Sequence, residues 1–205
     1  MDNAIKLSAA ESAARENILN RIKTGHPEAV ELPDIPMYGI PGDVVENFIR
    51  HLESFDGQCK RFASRSDALT WLRDNIDTAN NTVYSSVDGF KGNFTVTADT
   101  DPHSTHVVDI CVGDGVIGVG ETGSVWVTEE SLGLTACALF STDLYLLLDA
   151  KNIYPGMHQA YEALDLGGIR YGAFFTGPSA TADIEAVRVT GAQGEISLTV
   201  LLIGE

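Results

Sequence analysis

Two short stretches gather residue types able to do chemistry: "GETGS" at residues 120–124 and "TGPSATADIE" at residues 176–185. In the first, Glu121 stands beside the hydroxyls of Thr122 and Ser124 around Gly123, between apolar β-branched runs where a hairpin needs only Asn-Gly or Asp-Gly. A partly desolvated carboxylate there has its pKa raised toward neutrality and serves as nucleophile or general base. The competing role is a turn carboxylate that accepts backbone N–H groups, and the residues alone leave the two level. In the second stretch Gly177 admits backbone conformations closed to other residues and Pro178 presets the next φ, so that successive N–H groups from Ser179 onward can converge on an anion. Ser179 and Thr181 add hydroxyl donors and Asp183 can cap the turn, while Arg170 and Arg188 flank the motif without lying in it. Its bland counterpart is a strand exit that satisfies its own backbone.

Other patterns carry less. "GDGVIG" at residues 113–118 fits Gly-x-Gly-x-x-Gly, but "VGETGSVWVT" follows where a dinucleotide fold needs a helix N-terminus, so a tight turn or hairpin is expected. His103 and His106, with Asp99, Asp101 and Asp109 nearby, sit in an expected loop with no defined face and read as polar surface, not as a metal site. Cys59, Cys111 and Cys137 are too widely spaced for a cluster-binding motif, and the last two sit among apolar neighbours as small hydrophobes. No Gly-x-Ser-x-Gly elbow supports a serine hydrolase.

The elements that must position these residues follow from periodicity and turn chemistry. Ser8 with Glu11 forms a capping box ahead of Ala14, Ile18 and Ile22, which predicts an amphipathic opening helix ending at Gly25. Residues 25–42 hold four of the seven prolines and read as an extended connector. Helices are predicted from Asp43 to about Asp56 and from a Ser66 cap through Ile76, with short strands at residues 59–62 and 82–86 between and after them. From residue 92 the chain turns strand-rich through "NFTVTAD", "HVVDICV", "VIGVG", "SVWVT" and "LYLLLDA". A helix at residues 157–164 and strands at 171–175 and 196–203 complete the pattern. Alternating helices and strands predict an α/β sheet with helices packed on its faces.

With 205 residues and 44% hydrophobic content, the chain is long enough for one sizeable core; residues 1–42 read as an appendage and 43–205 as the domain. A net charge of −16 opposes electrostatic capture of nucleic acid or of an anionic membrane. The opening residues lack a signal-peptide pattern and no run reaches the length of a membrane span, so a cytoplasmic protein is expected.

Taken together, "SAARENILNRIK" (residues 12–23), "GVGETGSVWV" (118–127) and "TGPSATADIE" (176–185) resemble the lactate utilization protein C family, the LutC/YkgG proteins that carry the LUD domain. The resemblance implies a three-layer α/β/α fold of the NagB/RpiA/CoA-transferase-like type with an N-terminal helical appendage. It also implies a role in oxidising L-lactate to pyruvate beside iron–sulfur partner proteins, with no cofactor bound by this chain. Carried over by position, the motif residues are Glu121, Thr122 and Gly123, then Gly177, Pro178, Ser179, Thr181, Ala182, Asp183 and Glu185; Ser124 joins them as a ligand-binding candidate. Ala180 stands where many relatives have Arg or Lys, and "GAQGE" (191–195) replaces a more usual Gly-x-His-Gly-Pro. If that basic residue holds a phosphate or carboxylate in relatives, this chain holds it weakly or binds something else. Two functions follow as expectations. One is an accessory component of a lactate-oxidising system, with a small anionic ligand and a homo-oligomer both left open; the other is a self-sufficient enzyme acting on a phosphosugar or acyl-CoA, with Glu121 as its catalytic group.

Overall fold

The structure, a computed structural model, describes residues 8–28, 30, 31, 33, 36, 39–97, 99–182, 187–191 and 193–204. The chain divides into two compact units, Met1–Met37 and Tyr38–Glu205. In the first, helix α1 (Ala9–Thr24) begins with the expected capping box: Ser8 N–H donates to the Glu11 carboxylate at 2.8 Å, and Glu11 N–H donates back to Ser8 Oγ at 3.3 Å. Its Ile18 and Ile22 are exposed.

The second unit contains helices α2 (Val44–Ser54), α3 (Arg65–Asn75), α4 (Glu129–Leu132), α5 (Thr135–Phe140) and α6 (Met157–Ala163). Its strands are β1 (Gln58–Phe62), β2 (Val83–Ser85), β3 (Ile110–Asp114), β4 (Ile117–Val119), β5 (Ser124–Thr128), β6 (Asp143–Asp149), β7 (Ile153–Tyr154), β8 (Gly172–Phe175), β9 (Ala180–Thr181), β10 (Val189–Thr190) and β11 (Ser197–Ile203). The central sheet is parallel throughout, in the order β1-β11-β6-β3-β2. A second sheet runs β7-β4-β5-β8, and β9 pairs with β10 as a separate ribbon.

Strand alternation assigns the two faces of the central sheet. Leu144, Leu146 and Leu148 of β6 and Leu198, Val200 and Leu202 of β11 turn to one side, where they meet Phe48 and Leu52 of α2, Leu132 of α4, Cys137 of α5 and Val125 and Val127 of β5. Leu147 and Leu201 turn to the other side, onto Ala68 and Leu72 of α3. The outer face of the second sheet, through Ile117, Val119 and Trp126, packs on Ala160 of α6. The protein is therefore a three-layer α/β fold, as the alternation of elements predicts.

Local differences have local causes. The cap of α3 is Ser64, whose hydroxyl accepts from Asp67 N–H at 3.2 Å, and not Ser66. Residues 93–97 of "NFTVTAD" form no strand: Asn93 Oδ1 takes the Val83 N–H and Phe94 N–H bonds to Val83 O at 2.9 Å, so this segment covers β2 without extending a ladder. "HVVDICV" splits between a 3-10 turn (Pro102–Val107) and β3, since Pro102 and the Asp101 carboxylate start a helical turn there. No helix among the described residues is long and apolar enough to cross a membrane.

Candidate functional site

The antiparallel register of β5 with β8 sets Val125 opposite Phe175. One step beyond that pair, Ser124 Oγ lies 2.5 Å from Thr176 Oγ1 and 2.7 Å from Thr122 Oγ1, so a chain of three hydroxyls joins the two motifs. Ser124 is 5% exposed, and the contact is held away from competing water. Both motifs also press on α2. Gly123 has φ +68° and a Cβ there would fall 2.1 Å from Leu52 N; Gly177 has φ +66° and a Cβ there would fall 2.0 Å from Phe55 O. Only glycine meets both demands at either position.

Glu121 is exposed, and its Oε2 accepts the Met157 N–H at 3.0 Å. Since Gly156 has no side chain to cap α6, this carboxylate serves as that helix's N-terminal acceptor. Along the second motif, Ser179 N–H bonds to Glu195 O at 3.0 Å and Gly191 N–H bonds to Ser179 O at 2.7 Å, so the first amide of the expected anion cradle is engaged by the chain itself. Thr181 lies in β9, paired with Val189, and Ala182 is exposed. Asp183 and Glu185 lie outside the described residues. Arg188 is turned to the end of α2, with Nη1 3.1 Å from Asp56 Oδ2 and Nη2 donating to Phe55 O at 3.0 Å.

A cleft of about 310 Å³ opens beside Thr176, Gly177, Pro178 and Ser179, with Leu139, Tyr171, Gln193 and Glu195 among its other walls. Glu121 to Ser124 touch this region through Thr176 but do not line the cleft. Among the described residues its lining includes no Lys, Arg or His. Sequence reasoning passed over Glu195 as a functional residue. It is 4% exposed and has no ion pair among the described residues, and burial raises its carboxyl above the ordinary value. The one available signal was its place in "GAQGE", where the chain departs from the pattern it resembles. Glu129 was missed too. Its carboxylate accepts the N–H groups of Arg170 and Tyr171 at 2.7 and 2.8 Å, which anchors the entry to β8, and those bonds hold it below its ordinary pKa.

The thiols do not suit ligation. Burial pushes Cys59 and Cys137 up to about 11 and Cys111 upward as well, so all three stay protonated near neutral pH. Among the described residues no group of His, Cys, Asp and Glu is arranged to hold a metal ion, and His103 is exposed beside Asp101.

A parallel α/β sheet backed by a small second sheet, with a hydroxyl-linked pair of glycine turns buttressed by one helix, defines the class of protein. Within it, residues 103–203 match the LUD domain, a range that contains both motifs. Among solved structures, the chain resembles a crystal structure of a DUF162 family protein from Deinococcus radiodurans. That likeness has a TM-score of 0.58 and 12% identity, covering 78% of this chain and 96% of that one. At such identity it is a likeness of fold. No curated protein matches the chain by sequence.

Proposed function

We propose that this protein is a cytoplasmic LutC-like accessory component of a system that oxidises L-lactate to pyruvate, working with iron–sulfur partner proteins. The observation that carries the reading is the LUD-domain match over residues 103–203, spanning both motif turns. The protonated thiols support the same division of labour, because a chain whose cysteines favour the neutral form leaves cluster ligation to its partners.

The test is co-expression with cysteine-rich iron–sulfur proteins of lactate-oxidising systems, followed by affinity capture and lactate-dependent dye reduction. A complex that reduces dye only when this chain is present supports the reading. Partners that reduce dye equally well without it, or that never associate with it, refute the accessory role.

A further inference from the structure

We propose that the cleft beside Gly177–Ser179 binds a small organic ammonium ion, with the Glu195 carboxylate as its counter-ion. The inference stands apart from the lactate reading, since it rests only on what the cleft walls offer.

Glu195 is 4% exposed, lines the cleft, and has no cationic partner among the described residues. A buried carboxyl without a cationic partner is costly in its charged form, and among the described residues the donor to this one is its own backbone N–H. Around it the cleft offers oxygen acceptors beside the carboxylate. Tyr171, Ser179 and Gln193 supply oxygen acceptors, while the Ser179 amide is engaged by Glu195 O and the Thr176 hydroxyl by Ser124. An anion would meet this acid with no Lys, Arg or His among the described wall residues to offset it. A metal ion would lack ligands, since the described residues hold no cluster for one. A primary ammonium group presents three donors and one positive charge, the complement of these walls. The volume of about 310 Å³ restricts the ligand to a small one, and the protein's charge of −16 favours its approach.

The titratable group facing Glu195 from the other lining elements is Tyr171, raised first by burial and then by the Glu195 charge, so it remains a neutral hydroxyl at neutral pH. The binding step balances simply. The neutral Glu195 carboxyl gives its proton to solvent, the ammonium ion enters, and an ion pair replaces a neutral acid. Below the folded pKa of Glu195, the apparent dissociation constant therefore falls about tenfold per pH unit and levels above it.

Isothermal titration with propylammonium at constant ionic strength, across pH and in buffers of different ionisation enthalpy, tests this. Expected are binding that tightens with pH and release of about one proton per ligand below that pKa. Glu195→Gln should abolish binding while the circular dichroism spectrum is unchanged, and Glu162→Gln, which removes an exposed acid on α6, should leave affinity as it was. Binding retained in Glu195→Gln, equal loss in Glu162→Gln, no binding at any pH, or binding of lactate in place of propylammonium would each overturn the proposal.

Discussion

Ser124 Oγ and Thr176 Oγ1, 52 residues apart in sequence, lie 2.5 Å apart in the fold, and through them the β4–β5 turn is tied to the exit of β8. Because Ser124 is buried, removing its hydroxyl strands two others. Ser124→Ala should cost about 1–2 kcal/mol in urea denaturation. A double-mutant cycle with Thr176→Val should return a coupling of about 0.5–1.5 kcal/mol, and additive single effects would show the link to be energetically idle.

The two motif glycines should be the least replaceable residues of the site. Gly123→Ala and Gly177→Ala each combine a positive φ with a Cβ about 2 Å from backbone atoms of α2 or its exit. Backbone strain alone is worth about 1–3 kcal/mol, and the overlap adds to it by displacing the helix. Both variants should show urea midpoints well below wild type, with near-ultraviolet circular dichroism altered around Trp126. A midpoint within error of wild type would mean that α2 moves aside freely.

Glu121 offers a clean division between support and chemistry. As the acceptor for Met157 N–H it should contribute about 0.5–1 kcal/mol, lost in Glu121→Ala and partly kept in Glu121→Gln. If the same carboxylate is the nucleophile or base of a self-sufficient enzyme, Glu121→Gln abolishes turnover of its phosphosugar or acyl-CoA substrate with hardly any change in melting temperature. Turnover that only tracks stability assigns Glu121 to the helix cap.

Burial of neutral acids also sets the pH dependence of stability. Glu195 has a folded pKa raised above its unfolded value, so between the two the folded chain holds a proton that the unfolded chain has released. Stability must fall as pH rises through that window. Glu195→Gln removes this dependence and should raise the melting temperature at pH 8, by about 2–4 °C for each kcal/mol recovered, with little change at pH 4. The thiols act in the same sense at higher pH. Cys59 and Cys137, pushed up to about 11, make the wild type lose stability between pH 9 and 11, and Cys137→Ala should flatten that decline in urea titrations.

Much of this fold was legible in residue patterns. The cap of α2 at Asp43, the alternating apolar residues of β6 and the final strand β11 all declared themselves through local chemistry. The short helices α4 and α5 did not, since six or fewer residues carry too little periodicity to outweigh the β-branched neighbours. At the site, the two turns were readable because glycine at a tight turn leaves a local mark. Glu195 was not, because its significance is burial beside Ser179, a property of packing across the fold that no local spacing encodes.

The order of the central sheet bears on how the protein is made. β11 lies between β1 and β6, so until residues 197–203 emerge from the ribosome the first strand has no neighbour and one side of β6 stays unpaired. A nascent chain of this protein therefore carries a leucine-rich open edge on β6 until β11 is made, a natural substrate for chaperones and a point at which interrupted synthesis favours aggregates.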